Sequence, residues 1–135
     1  MRERDFGPLG EIVKEVRTVD SSTGPDPGYT TLYRYDTWNR LQSLTYPDTE
    51  VLDFDYDSGG LVTKISGTKS NDAYAYLNFM GYDKFEARTR MALGNGTVNT
   101  YAYNPQHRRL NDLVAATATG RTFMNMDYGY DLVGN

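Results

Sequence analysis

Polar and apolar residues alternate along most of this chain. Leu52, Phe54 and Tyr56 are separated by Asp53 and Asp55, Tyr33 and Tyr35 flank Arg34, and Tyr101 and Tyr103 flank Ala102. Residues two apart on an extended chain share a face, so this period marks strands with one face packed and the other wet. The pattern predicts strands near 10–19, 29–36, 40–46, 51–57, 61–66, 73–82, 87–93, 97–104, 109–117 and 122–131. No helix is expected. Leu113 to Ala118 carries alanines, but Thr117 and Thr119 favour strand. Turn formers separate the strands at Pro47-Asp48-Thr49-Glu50, Ser66-Gly67-Thr68 and Gly94-Asn95-Gly96. Asn95-Gly96 between apolar runs is a strong hairpin signal. The segment from Ser21 to Gly28 reads as a loop insertion.

A repeat underlies the alternation. Paired rings recur at Tyr33 and Tyr35, Phe54 and Tyr56, Tyr74 and Tyr76, Tyr101 and Tyr103, and Tyr128 and Tyr130. An acidic or amide residue follows most pairs, at Asp36, Asp57, Asn104 and Asp131. A glycine or asparagine comes three residues later, at Asn39, Gly60 and Gly134. Tyr82-Asp83 fits as a further unit with a poorer turn, Lys84-Phe85-Glu86, and Phe6-Gly7-Pro8-Leu9-Gly10 as a degenerate first one. The second ring stands at 6, 35, 56, 82, 103 and 130, at intervals of 29, 21, 26, 21 and 27. A carboxylate at the turn entry accepts hydrogen bonds from turn N–H groups, and the glycine or asparagine supplies the positive φ that closes a tight hairpin. Arg-Leu or Gly-Leu then restarts the strand. The unit is strand, turn, strand, and the architecture expected is all-β: one continuous antiparallel meander of tandem β-hairpins in a single domain, 1–135.

Composition narrows the function. Twelve tyrosines against one tryptophan and one histidine is a biased set that suits half-wet strands. The net charge is −4 and the longest basic run is Arg108-Arg109, which argues against nucleic acid as a partner. No apolar run approaches the length of a bilayer span, so no membrane insertion is expected. The charged start, Met1-Arg2-Glu3-Arg4-Asp5, leads into no apolar core of a signal peptide. With no cysteine, disulfides and thiolate metal sites are ruled out.

Candidate chemistry is thin. Asp53, Asp55 and Asp57 share a strand face and could in principle hold a cation or hydrolyse a glycoside, but a solvated outer face is the commoner meaning of such a run. The tyrosine rows could stack on sugars; packing is favoured, because Tyr74, Tyr76, Met80 and Tyr82 fall on one face with methionine among them. His107 has no partner for metal or triad chemistry, and Trp38 in its turn is expected to fold back on its hairpin. Asn95-Gly96-Thr97 matches the N-glycosylation sequon, although Asn95-Gly96 is already accounted for as a turn. No catalytic, cofactor-binding or metal-binding residue is assigned, and the chain reads as a non-enzyme. Its assigned residues are structural: Tyr33, Tyr35, Asp36, Asn39, Phe54, Tyr56, Asp57, Gly60, Tyr82, Asp83, Asn95, Gly96, Tyr101, Tyr103, Tyr128, Tyr130, Asp131 and Gly134.

The series Tyr33-Arg34-Tyr35-Asp36, Phe54-Asp55-Tyr56-Asp57-Ser58-Gly59-Gly60-Leu61, Tyr101-Ala102-Tyr103-Asn104 and Tyr128-Gly129-Tyr130-Asp131-Leu132-Val133-Gly134-Asn135 resembles the YD-repeat, or Rhs-repeat, superfamily. That superfamily includes bacterial Rhs proteins, the cocoon-forming subunits of Tc insecticidal toxins and animal teneurins. The resemblance covers essentially the whole chain. It implies a strip of hollow β-shell wall, a fragment of a larger shell that encapsulates a toxic C-terminal polypeptide, in a secreted or cell-surface bacterial protein. The family's self-cleavage signature, Asp-Pro-x-Gly-Leu, has no match; Asp26-Pro27-Gly28 lacks its spacing and its leucine. Partners implied are the remainder of the parent shell, its toxin cargo, or a second copy through open strand edges, unless the strip curls on itself. The alternative from a different class is a carbohydrate- or receptor-binding β-module at the cell surface, with a glycan as partner.

Overall fold

A computed structural model describes residues 1–22, 24–131 and 133–134. Its strands are β1 (Arg2–Phe6), β2 (Ile12–Thr18), β3 (Gly28–Tyr35), β4 (Leu41–Thr45), β5 (Val51–Tyr56), β6 (Val62–Lys69), β7 (Asp72–Tyr82), β8 (Arg88–Leu93), β9 (Thr97–Tyr103), β10 (Leu110–Thr117) and β11 (Thr122–Asp127). They follow one another in chain order through an eleven-stranded antiparallel sheet, the all-β meander that the alternation predicts. No helix occurs among the described residues, so none there is long and apolar enough to cross a membrane.

β1 was absent from the ten strands expected. Its residues, Arg2-Glu3-Arg4-Asp5-Phe6, alternate in charge rather than in hydrophobicity, which hides a strand from any apolar pattern. Charge pairing holds it instead. Arg4 lies directly opposite Glu15, and Glu15 is buried beneath ion pairs with Arg2, Arg4 (3.0 Å) and Arg17 (4.0 Å). At the other end β11 stops at Asp127; Tyr128 N–H still donates to the Asn111 carbonyl at 2.8 Å, and Tyr130 lies beyond.

Two compact units carry the sheet. In the first, Met1–Asp55 with Ile65–Tyr74, Tyr33 faces Leu44 and Leu44 faces Leu52, a cross-strand row that buries Leu52. On the opposite face Arg34 and Asp53 flank a buried Ser43. In the second unit, Tyr56–Lys64 with Ala75–Asn135, the packed face runs through Leu77 opposite Leu93, Met80 opposite Met91, Asn99 opposite Ala115, and Tyr101 opposite Leu113. Leu77 and Ala115 are its buried residues.

The pairing of β7 with β8 overturns one expected grouping. Leu77 and Met80 share the packed face although three positions apart, because Asn78 is an extra residue, a bulge, in β7. A bulge reverses the facing of everything beyond it. Tyr74 and Tyr76 therefore project from the face opposite Met80 and Tyr82, and are 39% and 46% exposed. The pair on the packed face in that repeat is Met80 with Tyr82, a thioether in place of the first ring, and Tyr74-x-Tyr76 belongs to none.

Candidate functional site: the aspartate turn and its tyrosine

Asp36, Asp57 and Asp83 close three turns of one geometry. Each aspartate N–H donates to the carbonyl four residues on, Arg40, Leu61 and Ala87, at 2.9 Å. Each aspartate carbonyl accepts from the N–H three residues on, Asn39 (3.0 Å), Gly60 (3.1 Å) and Glu86 (3.0 Å). The carboxylate Oδ1 then accepts from the second and fourth N–H: Trp38 and Arg40, Gly59 and Leu61, Phe85 and Ala87, at 2.8–3.1 Å. One carboxylate thus meets the N–H groups that a tight turn leaves without ladder partners. The third residue takes positive φ in every case: Asn39 59°, Gly60 87° and Glu86 63°. Lys84-Phe85-Glu86 is hence a full member of the series, and glutamate stands where the pattern led one to want glycine.

Two turns depart from the rule in composition and keep it in function, and a third keeps both. Gly7 stands where an aspartate is expected, and the Glu11 carboxylate does its work by accepting from Leu9 N–H at 2.9 Å. A Cβ on Gly7 would collide with that same carboxylate. Asn104 serves a turn one residue longer, accepting from Gln106 and His107, with the positive φ moved to Arg108 at 61°. Asp131 accepts from Val133 and Gly134, whose φ is 92°. Leu132 and Asn135, which complete that motif in the sequence, lie outside the described residues, as does Thr23 of the Ser21–Gly28 loop. In the separate hairpin between β8 and β9, Asn95 accepts from Thr97 N–H at 2.9 Å and Gly96 takes φ 84°.

In four of the pairs the second ring has a task the first lacks. Its hydroxyl donates to the carbonyl of the residue that opens the outgoing strand of an earlier repeat. Tyr35 reaches Ile12 (3.0 Å), Tyr82 reaches Val62 (2.8 Å), Tyr103 reaches Arg88 (3.0 Å) and Tyr130 reaches Leu110 (2.9 Å). Three of those carbonyls, on Ile12, Arg88 and Leu110, precede a bulge at Val13, Thr89 and Asn111, where the regular ladder breaks. A broken ladder leaves an acceptor to be met from elsewhere. The first position needs only bulk, which is why Tyr33, Phe54, Met80 and Tyr101 all serve there, half-buried.

Electrostatics follow from this geometry. Partial burial pushes the hydroxyls of Tyr35, Tyr82 and Tyr103 above the usual phenol range. Burial would raise Asp36 and Asp83 too, but turn N–H groups and a guanidinium outweigh it and hold both carboxyls below their ordinary value. For Asp36 the guanidinium is Arg40, at 2.7 Å, which also lies over the Trp38 ring, 4.9 Å from its centroid. For Asp83 it is Arg108, brought from the following turn, with its guanidinium carbon 4.4 Å from the Phe85 centroid. Glu11 and Arg108 were not singled out in the sequence, since neither occupies a motif position.

The remaining candidates stay apart from any chemistry. Asp53 and Asp55 face solvent while Asp57 is engaged in its turn. His107 is exposed, its ring edge-on to Tyr130 at 6.4 Å. Trp38 is 76% exposed, covered on one side only by Arg40, so it does not bury against its own hairpin as expected. Among the described residues no three histidines, cysteines or carboxylates converge on a point that could hold a metal.

No family model matches the sequence, and no curated protein does. Solved structures do. A crystal structure of TcdB2-TccC3 superposes with a TM-score of 0.88 at 20% identity, covering 96% of this chain and 7% of that one. TcdB2-TccC3-TEV gives 0.90 at 19% identity over 99% and 7%, and the Photorhabdus luminescens Tc holotoxin pore 0.86 at 20% over 96% and 7%. This chain therefore spans 7% of the length of the chains it matches. At 19–20% identity the likeness shows the fold: the antiparallel hairpin strip expected from the ring pairs and aspartate turns is the fold of the matched part of these chains.

Proposed function

We propose that this chain is a structural YD-repeat module: a segment of hollow β-shell wall, without catalysis of its own, that in a longer secreted bacterial protein helps enclose a C-terminal toxin polypeptide. One observation carries the reading. The repeat turns are closed by side-chain oxygens of their own, the carboxylates of Asp36, Asp57, Asp83 and Asp131 and the amide of Asn104, and four repeats are tied to the preceding one by a tyrosine hydroxyl, an arrangement that extends a wall. The match of 96–99% of this chain to 7% of Tc toxin chains supports it. In this reading the domain is the single run 1–135 and its partners are the flanking wall and the cargo.

The flanking coding sequence tests the proposal. Dozens of further ring-pair repeats followed by an unrelated tail are expected, and the tail should resist protease in the intact protein until the wall is cut. Stop codons close on both sides, or a tail digested at the rate of an unfolded chain, would refute it. The carbohydrate-binding alternative keeps one favourable observation, the exposed rings of Tyr74 and Tyr76. Specific binding on a glycan array, lost in Tyr76→Ala, would move the assignment there.

A further inference from the structure

Asn95 is the one asparagine in this sequence that precedes a glycine, and it is exposed. The pair closes the hairpin between β8 and β9, where Gly96 N–H donates to the Leu93 carbonyl at 3.1 Å. Gly94 and Asn95, the two central residues, keep negative φ while Gly96 takes 84°, so this is a type I turn followed by a left-handed residue. The turn is anchored from β7 as well. Gly94 N–H donates to the Tyr76 carbonyl at 3.0 Å, and the side-chain amide of Asn78, the bulge residue, donates to the same Leu93 carbonyl at 3.2 Å. A Cβ on Gly94 would strike the Ala75 carbonyl oxygen, so β7 lies hard against the turn.

An asparagine followed by glycine can react with its own backbone. The Gly96 nitrogen, having lost its proton, attacks Cγ of Asn95. The Cγ–Nδ2 bond breaks, and ammonia leaves with a proton from water, giving a five-membered imide. Water then opens the imide. Cleavage at Cγ leaves aspartate; cleavage at the main-chain carbonyl leaves isoaspartate, with the chain rerouted through Cβ. Glycine has no side chain to obstruct the attack. The closed turn does obstruct it. Ring closure needs the Gly96 nitrogen eclipsed with Cβ of Asn95, and a ψ of about 0° at this turn position holds it roughly a third of a turn away. Gly96 N–H is engaged with Leu93, and Oδ1 of Asn95 accepts from Thr97 N–H at 2.9 Å, which fixes the amide.

We propose that Asn95 is a self-modifying site gated by its own hairpin: it converts to aspartate or isoaspartate only while the turn between β8 and β9 is open. The two products have opposite consequences. Aspartate keeps an oxygen for Thr97 N–H, as Asp36 and Asp57 do for the second N–H of their turns, and the hairpin closes again. Isoaspartate lengthens the backbone by a carbon between Leu93 and Thr97. That breaks the register setting Met91 opposite Asn99 and Ala92 opposite Val98, and the hairpin stays open.

The test is mass spectrometry of the full chain held at mildly alkaline pH, in buffer and in urea, with the two products separated by chromatography. Asn95 should show the mass gain of amide-to-acid conversion more than about tenfold faster in urea than in the folded chain. Asn78→Ala leaves the Asn-Gly pair intact and removes one anchor of the turn. It should raise the folded rate about fivefold, in step with faster amide exchange at Gly96. Should that variant fail to fold, its rate should equal that of the parent in urea, and the parent comparison decides. Among reacted folded chains, those carrying aspartate should keep protection at Gly96 and those carrying isoaspartate should lose it. Equal rates in buffer and urea, a rate unmoved by Asn78→Ala while exchange at Gly96 quickens, or equal protection in the two products overturns the proposal.

Discussion

Tyr82→Phe isolates the bond that ties one repeat to another. It removes one oxygen and keeps the ring, so packing is preserved and only the 2.8 Å bond to the Val62 carbonyl is lost. A hydrogen bond of this kind contributes about 0.5–1.5 kcal/mol net, and stranding its acceptor adds to that in proportion to burial. Tyr82 is half-buried, so water recovers part of the loss and the expected cost is about 1 kcal/mol. For a chain of this size the thermal midpoint should fall by about 3–5 °C. The urea midpoint should fall by about 0.5 M without a change of slope. Tyr101→Phe is the internal control, since the Tyr101 hydroxyl is absent from the hydrogen bonds of the described residues and that ring sits in the first position. Its midpoint should stay within about 0.5 kcal/mol of the parent. Equal losses in the two variants, or no loss in Tyr82→Phe, would refute the distinction between first and second rings.

Glu11→Ala should cost about 1 kcal/mol, as loss of a capping carboxylate does. Gly7→Asp should destabilise alone, by collision with Glu11, and restore stability in the Glu11→Ala background, a coupling that a double-mutant cycle in urea measures. Gly60→Val should cost about 1–3 kcal/mol more than Ser58→Val, because φ is 87° at Gly60 and a β-branched residue tolerates that poorly; thermal unfolding compares them. The folded Asp36 and Asp83 carboxyls titrate below their unfolded value of about 3.9, so their contribution is full above that pH and is lost as pH falls through the folded values. Asp112 runs the other way. The facing Asp127 and burial raise it, so the pairing of β10 with β11 is favoured in acid and weakens as pH rises through its folded value. Amide exchange from pH 3 to 6 should show the turn N–H groups of Trp38 and Phe85 gaining protection while Met126 loses it.

The sequence yielded most where its signals are local. Ring pairs, turn aspartates and positive-φ residues all act within about five positions, and the turns at Asp36, Asp57 and Asp131 stand where the pattern put them. What escaped notice depends on distance or substitution. β1 hid because Arg2 and Arg4 answer a carboxylate eleven or more residues away. Glu11 hid because it performs an aspartate's task from the far side of its turn. Tyr74 and Tyr76 were misplaced because a bulge has no residue signature: Asn78 looks like any other strand position, yet it reverses the facing of all that follows.

The tyrosine bonds also have a direction. In all four, the donor comes later in the chain than the acceptor, by 15 to 23 residues. A ribosome releases the chain N-terminus first, at roughly 5–20 residues per second. Each of these four hydroxyls therefore emerges to find its carbonyl already made, whereas the Asp83 turn gains its guanidinium only when Arg108 follows. The sheet grows like masonry laid from one end. Shortening from the C-terminus removes a donor and leaves its carbonyl, as Leu110 is left when Tyr130 is lost, whereas shortening from the N-terminus leaves a tyrosine reaching for a carbonyl that is gone. A chain ending after Arg121 should stay folded, and one beginning at Thr18 should lose protection first around Tyr35.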